Sequence, residues 1–200
     1  MTLPSTYADR NCSLARALEV VGERWTLLIV RDAFFGVRRF GDFATQLKIP
    51  RAVLADRLKS LVREGVLTRD DDAAGGVEYR LTAKGVELWP VVRALMHWGD
   101  AFYSPSGVRR AARHDRDGGL LDHEGRCQEC GAAVPVPEIR LEPGPGFDPE
   151  GTGHDPVSTA INTPRRLLEP IVTPRTSSAR GREAGTRRAA GTRRAAEPAG

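Results

Sequence analysis

The sequence predicts a mainly α-helical fold with one small β-hairpin. Two observations predict this class. Two short amphipathic stretches are separated by only Lys48 and Ile49, and two strand-like stretches follow the second of them. Helices joined this tightly cannot lie antiparallel side by side, so they cross steeply, as in a helix-turn-helix. With a hairpin directly behind it, the order of elements is that of a winged helix-turn-helix.

The first two helices are predicted from helical spacing and from the glycines that end them. The first runs from Cys12 to Val21, where Leu14, Leu18 and Val21 keep helical spacing, and it is closed by Gly22. The second runs from Glu23 to Phe34, with Gly36 as its stop. The residues of the second helix predicted to point inward are Trp25, Leu28 and Ile29.

The third and fourth helices form the helix-turn-helix. The third spans Arg39 to about Leu47, with apolar residues every three or four positions. The fourth lies within IPRAVLADRLKSLVREG, residues 49–65, where Leu54, Leu58 and Leu61 mark an apolar stripe about 100° wide. Its opposite side is polar and basic.

The hairpin and a last helix follow at once. Strands are predicted for Val66–Arg69 and Val77–Leu81, with turn-forming residues between them. Thr82 is predicted to cap a long helix that reaches Tyr103 and is kinked by Pro90 near Val86. One side of this helix is apolar and belongs in the core or in a dimer contact: Leu88, Val92, Leu95, Met96, Gly99 and Phe102.

The charge of the chain is concentrated in two places. The net charge is +4, and residues 173–200 contribute +5 of it through seven Arg and two Glu, so the rest sums to −1. Within that rest, residues 38–69 carry eight basic and three acidic residues, a local excess of +5 around the fourth helix. Because only three of the thirty basic residues are Lys, the number of Arg alone does not indicate phosphate recognition.

Several classes of protein are not expected. No stretch of about 18 apolar residues and no secretory signal is visible, so we expect no membrane partner and a cytoplasmic location. No nucleophile-elbow, P-loop or zinc-protease motif occurs, so we do not expect an enzyme. The repeat GTRRAAGTRRAA has no large apolar side chain to bury, and residues 175–200 are predicted to be disordered.

Three blocks of the sequence resemble one family of regulators. They read CSLARALEVVGERWTLLIVRDAFFGVRRFGDFATQL, VLADRLKSLVREGVL and YRLTAKGVELWPVVRALMHWGD, and they lie between about residues 12 and 102. In this order they resemble the HxlR-type transcriptional regulators, which are related to the MarR group. The resemblance implies a homodimeric DNA-binding regulator, often a repressor, that dimerises through its first and last helices.

This resemblance makes helix 50–64 the segment expected to enter the major groove of an inverted repeat in double-stranded DNA, where each base pair shows a distinct pattern. The residues expected to face the groove are Ala52, Ala55, Asp56 and Lys59, and Arg51 at the helix start is expected to contact either a base edge or a phosphate. The residues expected to contact phosphates are Arg38, Arg39, Arg57 and Arg63, with Arg69 and Arg80 of the hairpin at the minor groove. The alternative for each Arg is a solvated side chain. The alternative for the domain is a protein-interaction module with little DNA specificity.

The three cysteines raise two further hypotheses. Cys12 stands where redox-responsive members of the family carry a sensing thiol, which implies an oxidant effector; a small-molecule effector and a simple packing role are the alternatives. Cys127 and Cys130 have the spacing of one zinc knuckle, and His114 and His123 could complete the site. The region resembles a zinc-ribbon-like extension whose first knuckle reads HDRDGG, so a degenerate ribbon without metal is the alternative. No other cofactor is expected.

The predicted domain organisation has four parts. Residues 1–104 form the winged helix-turn-helix domain, and residues 105–142 form the small extension. Residues 143–174 read as a linker rich in Pro and Gly and otherwise poorly defined. Residues 175–200 are the Arg-rich tail.

Overall fold

The computed structural model describes residue 7 and residues 11–71 and 76–173. Four helices open the fold in the predicted order: α1 (Ser13–Val21), α2 (Thr26–Phe34), α3 (Phe40–Leu47) and α4 (Arg51–Arg63). The second helix begins later than predicted, because Trp25 adopts a left-handed backbone with φ of +79° and serves as the N-cap. No helix in the described ranges is long and apolar enough to cross a membrane.

A tight turn joins α3 to α4 and fixes the helix-turn-helix. Lys48 ends α3 with φ of +50°, and its N–H donates to the carbonyl of Ala44 at 3.0 Å. Pro50 is the N-cap of α4 and gives no side-chain cap, although its carbonyl accepts from the N–H of Leu54 at 3.0 Å. The left-handed Lys48 turns the chain, so that only three residues separate α3 from α4, as a helix-turn-helix requires.

The predicted wing is confirmed. Strands β1 (Leu67–Asp71) and β2 (Val77–Leu81) pair antiparallel, with Leu67 opposite Leu81. An isolated β-bridge joins β2 to the chain just before α3, between Glu78 and Arg39, and Tyr79 N–H donates to the carbonyl of Arg38 at 2.8 Å. The wing is therefore hydrogen-bonded to the start of the helix-turn-helix.

The long last helix is broken where a kink was predicted. It forms two helices, α5 (Ala83–Val86) and α6 (Trp89–Tyr103). Thr82 caps α5 as predicted, and its side chain accepts from the N–H of Gly85 at 3.0 Å. Pro90 lies in the first turn of α6, where the missing N–H leaves no hydrogen bond unmade. Starting a new helix is therefore less costly than bending one.

The core lies between α2, α3 and α4. Leu54, Leu58 and Leu61 of α4 are at most 1 % exposed, which confirms the predicted inward stripe. They pack in one cluster with buried side chains of α2 and α3, among them Phe34 and Phe43. Burial of each such side chain contributes about 1.5–3 kcal/mol.

Several apolar residues that the sequence places at helical spacing are exposed in the single chain. Leu28 of α2, predicted to point inward, is 40 % exposed, so that assignment is wrong. The helical spacing identified an apolar side but could not fix which neighbour covers it. The other exposed members lie on α1 and α6: Leu14, Leu18, Leu95 and Phe102.

The chain after α6 forms a second small unit of structure. It contains β3 (Arg110–His114), β4 (Ile139–Pro143), α7 (Pro156–Asn162) and the short β5 (Arg165–Arg166). The three strands form one antiparallel sheet in the order β3-β4-β5, which we call the C-terminal sheet. Helix and strand therefore occupy residues 143–173, where the sequence pattern indicated a linker.

This unit packs onto the helix-turn-helix. Leu141, Val157, Ile161 and Leu167 join the same apolar cluster as α2, α3 and α4. Ser158 Oγ donates to Gln46 Oε1 of α3 at 2.9 Å. The predicted domain bounds remain a prediction, and the Arg-rich tail lies outside the described residues.

The last described residues, 167–173, run along α2 and α3, and we call them the C-terminal segment. Leu168 N–H donates to the carbonyl of Phe34 at 2.7 Å, and Ile171 N–H donates to that of Gly36 at 2.9 Å. Thr173 Oγ1 donates to the Asp42 carboxylate at 3.1 Å. The C-terminal segment thus covers the corner between α2 and α3.

Candidate functional site

One side of α4 is open to solvent along its whole length. We call it the α4 face, and it consists of Arg51, Ala52, Ala55, Asp56 and Lys59, all of which are exposed. With 13 residues, α4 is about 20 Å long. The buried leucines on the opposite side hold the helix against the core, so the α4 face presents a rigid surface.

Arg51 stands at the first turn of α4, where helix N–H groups favour an anion. No acidic residue occupies that turn. The Arg51 guanidinium lies 4.8 Å from the centre of the Phe40 ring, a cation-π contact that leaves its donors available. The start of α4 therefore carries a positively charged guanidinium whose position is fixed by the Phe40 ring.

The other cations on α4 differ in how free they are. The Lys59 side chain makes no hydrogen bond or ion pair within the part of the chain that the structure describes. Arg63 is exposed and lies 3.0 Å from Glu64. Arg57 is only 24 % exposed and bridges Asp56 and Glu23, each at 3.0 Å. Its charge is already compensated, so Arg57 positions α4 against the loop before α2.

Arg38 and Arg39, predicted to contact phosphate, reach the C-terminal segment instead. Arg38 Nη2 donates to the carbonyl of Leu168 at 3.2 Å, and its Nη1 lies 3.7 Å from Glu78. Burial, and then the nearby charge of Arg80, lowers the pKa of Arg38 from its ordinary value. Arg39 Nη1 donates to the carbonyl of Thr173 at 3.5 Å. Sequence reasoning missed these partners because they lie about 130 residues away along the chain.

The wing carries the two remaining predicted cations. Arg69 of β1 is exposed, and its side chain has no hydrogen bond or ion pair among the described residues. Arg80 of β2 lies 2.9 Å from Glu78, the carboxylate that also faces Arg38. Asp70 and Asp71 are exposed beside Arg69. The wing is thus of mixed charge, and Arg69 is its most available cation.

Cys12 is the N-cap of α1 and is exposed. Its side chain makes no capping hydrogen bond. The packing role considered for this residue is therefore not what the single chain shows, because the thiol faces solvent. Whether it responds to oxidants remains a prediction.

Four side chains of the C-terminal sheet and its loops meet at one point. We call them the Cys/His cluster: His114, Asp117, Cys127 and Cys130, whose donor atoms all lie within 4.8 Å of one another. His123, predicted as a ligand, lies outside it, with a side chain 71 % exposed and Nε2 3.9 Å from Glu124. The cluster has the donor atoms that could hold a metal ion, with Asp117 where His123 was expected.

Comparison with known proteins identifies the family. A family model described as HxlR-like helix-turn-helix matches residues 20–107. An uncharacterized HTH-type transcriptional regulator of Mycobacterium tuberculosis, Rv3095, is 46% identical over 138 residues, which is 68% of this chain and 87% of the relative. The chain belongs to the HxlR-like helix-turn-helix family. It is therefore a DNA-binding transcriptional regulator with a winged helix-turn-helix.

Other known regulators match about half of the chain. YvaP of Bacillus subtilis, an uncharacterized HTH-type transcriptional regulator, is 34% identical over 94 residues, 46% of this chain and 87% of the relative. The solved structure of the reduced transcriptional regulator YodB from B. subtilis is 30% identical, covers 48% of this chain and 98% of YodB, and has a TM-score of 0.42.

In this HxlR-like protein the α4 face has the shape and chemistry to contact DNA. An exposed helix of this length fits the major groove, which is about 12 Å wide. Arg51 and Lys59 supply hydrogen-bond donors. The short side chains of Ala52 and Ala55 would allow the helix backbone to come close to the bases. Arg63 and Arg69 lie beyond the face and could neutralise phosphates.

Sequence reasoning missed Asp117 as a member of the Cys/His cluster. The signal was present, because His114 and Asp117 have the same spacing as Cys127 and Cys130, and a glycine follows each pair. Reading the first pair as a failed cysteine knuckle hid this parallel. Only the structure shows that the two pairs face each other.

Proposed function

We propose that this HxlR-like regulator binds a specific inverted repeat in double-stranded DNA as a homodimer, with the α4 face of each protomer in a major groove. The observation that carries the proposal is the exposed α4 face, on which neither Arg51 nor Lys59 forms an ion pair with any residue that the structure describes. Bidentate donors from Arg or Lys to guanine are the commonest specific contacts with bases. Ala52 and Ala55 would contribute apolar contacts to thymine methyl groups.

Phosphate contacts are assigned on the basis of availability. Arg63 and Arg69 are exposed and are proposed to neutralise backbone phosphates on either side of the groove, with Arg80 as a weaker contributor beside Glu78. Arg38, Arg39 and Arg57 are proposed to act indirectly, because their contacts fix the wing, the C-terminal segment and α4. Binding should therefore depend on fewer cations than the sequence contains.

An apolar strip on α1 and α6 supports the homodimer. Five of its large side chains are exposed in the single chain: Leu14, Leu18, Leu95, Trp98 and Phe102. Large apolar side chains that stay exposed together on one helix, as Leu95, Trp98 and Phe102 do on α6, are typical of an interaction site. A two-fold dimer through this strip would present two copies of α4 to DNA, as an inverted repeat requires.

Repression is the proposed outcome of DNA binding. A dimer that occupies two successive major grooves excludes other proteins from the same stretch of DNA. No part of the proposal requires catalysis or a bound cofactor at the α4 face. The competing function is a protein-interaction module, which would use the same exposed helix without reading bases.

A footprint with the purified full chain on the DNA upstream of its own gene tests the proposal. We expect two protected half-sites whose centres are about 34–36 Å apart. The logarithm of the affinity should fall linearly with the logarithm of salt, by about 0.9 for each phosphate neutralised. Uniform, weak protection of all sequences would instead favour the interaction module.

The same footprint also tests the predicted oxidant effector. Wild type and Cys12→Ser are compared before and after treatment with diamide. If Cys12 is the sensor, only the wild type releases the DNA. Equal release by both proteins would dismiss this thiol, and release by neither would dismiss oxidant control at this site.

A further inference from the structure

Two turns in the C-terminal unit share one backbone geometry. One is HDRDG, residues 114–118, and the other is CQECG, residues 127–131. In each turn the N–H of the closing glycine donates to the carbonyl of the first residue at 2.8 Å. The two glycines have φ of +77° and +70°. The first turn is therefore built like the second, although it carries His and Asp in place of two cysteines.

The two turns face each other, so their side chains converge. Cys127 Sγ donates to Asp117 Oδ1 at 3.2 Å, and Cys130 Sγ lies 3.5 Å from His114 Nδ1. His114 Nδ1 and Asp117 Oδ2 are 3.0 Å apart. The four metal-binding atoms, two from each turn, are therefore close enough together to bind one small ion.

Gly119, the residue after the first turn, leaves room for the two turns to lie close together. A Cβ on Gly119 would overlap the Sγ atom of Cys127. Gly119 N–H donates to Asp117 Oδ1 at 2.9 Å and fixes that carboxylate toward the cluster. The backbone is therefore shaped to bring the Cys127 thiol close.

His114 is oriented in the way that metal-bound histidines usually are. It is only 3 % exposed, and while Nδ1 faces the cluster, Nε2 lies 3.3 Å from Glu138 Oε2 on the outer side. A carboxylate behind the ring fixes the orientation of a metal-binding histidine and raises its basicity. Glu138 is therefore not one of the four metal-binding residues, but it orients the His114 ring that is.

We propose that His114 Nδ1, an Asp117 carboxylate oxygen and the Sγ atoms of Cys127 and Cys130 bind one zinc ion as a closed structural site. Zinc accepts this combination of sulfur, nitrogen and oxygen donors in a tetrahedral arrangement. Thiolate donors disfavour magnesium and calcium, which prefer oxygen ligands. All four positions are filled by the protein, so no coordination position is left for a substrate. On binding, the two thiols release their protons to solvent.

The zinc ion would connect the C-terminal sheet with α6. His114 ends β3, and the loop that carries Cys127 also contains Leu121, whose carbonyl accepts from Arg93 Nη2 of α6 at 3.0 Å. Arg93 Nη2 also donates to the carbonyl of Asp122. Holding this loop in place therefore holds a contact to the helix that carries the apolar strip. This role is independent of whether α4 reads DNA.

Metal analysis of the full chain, purified without chelators, tests the proposal. We expect about one zinc per chain in the wild type. Asp117→Ala and Cys130→Ser should each lose most of the zinc, whereas the matched controls His123→Ala and Cys12→Ser should keep it. Less than about 0.2 zinc per chain in the wild type, both as purified and after zinc is added back to metal-free protein, would overturn the site.

A second measurement covers variants that fold poorly. Native wild type is treated with a thiol-alkylating reagent before and after zinc is removed by a strong chelator. We expect one fast thiol, Cys12, with zinc bound, and a second, the exposed Cys130, once zinc is removed. A fast Cys130 at both stages, or a Cys127–Cys130 disulfide in metal-free freshly purified protein, would contradict the proposal. Loss of zinc from His123→Ala but not from Asp117→Ala would also overturn the donor set.

Discussion

At the scale of single residues, Gly36 permits the contact between the C-terminal segment and the winged helix. It has φ of +91°, and a Cβ there would overlap the carbonyl oxygen of Glu169. Its own carbonyl accepts from Ile171 N–H at 2.9 Å. The glycine was read from sequence as the stop of a helix, but the structure shows that it also makes room for a distant part of the chain.

Gly36→Ala should therefore destabilise the protein more than a matched glycine change does. Gly65 is the control, because its φ of +68° is also left-handed while nothing lies within 4 Å of an added Cβ. Gly65→Ala should cost about 1–2 kcal/mol, and Gly36→Ala about 2–5 kcal/mol, since it adds overlap to backbone strain. Chemical denaturation measures both. Equal losses would show that the C-terminal segment is not packed against this corner.

The residues of the site show which assignments a sequence can support. Lys59 was predicted to be outward because it lies opposite the buried leucines, and it is outward. Arg57 has an equally clear helical position, yet Glu23, 34 residues earlier in the chain, binds it. Periodicity gives the side of a helix on which a charge stands. It does not show which charges a tertiary contact has already compensated.

At the scale of elements, α6 carries an exposed apolar surface that needs a partner. Trp98 contacts Phe102 and Tyr103, with ring centroids 5.4 Å apart in each pair. This aromatic cluster lies on α6, the helix with Pro90 in its first turn. The sequence predicted the apolar side of this helix. It did not distinguish packing in the core from contact in a dimer, because apolar residues have the same helical spacing in both cases. The structure shows that Val92 and Trp89 are buried while Leu95 and Trp98 are not.

Charges placed in the apolar strip should dissociate the proposed homodimer. We predict that Leu95→Glu with Trp98→Glu weakens self-association by at least about tenfold, or about 1.4 kcal/mol, because two carboxylates from each protomer would be buried at the two-fold interface. Light scattering over a range of protein concentrations measures this. Val172→Glu is the control, because Val172 is 85 % exposed outside the strip. A double variant that associates as strongly as wild type would place the interface elsewhere.

At the scale of the whole molecule, the winged helix could be predicted and the C-terminal unit could not. The four helices and the hairpin are periodic and connected by short turns, so their order alone fixes the arrangement. In the C-terminal sheet, β3 pairs with β4 across a gap of more than twenty residues, and Arg110 lies opposite Pro143. Strands this short carry no clear alternation, and only the distant pairing defines them.

The central claim is that the α4 face distinguishes one DNA sequence from another. Arg51→Ala with Lys59→Ala removes two cations from that face. Arg116→Ala with Arg166→Ala removes two exposed cations away from α4, one in the turn after β3 and one in β5. The measurement is the ratio of affinities for the footprinted duplex and a scrambled duplex at one salt concentration. We predict that this ratio falls at least tenfold in the first variant, since each base contact contributes about 1–3 kcal/mol, and is unchanged in the second. An unchanged ratio in the first variant would contradict the claim.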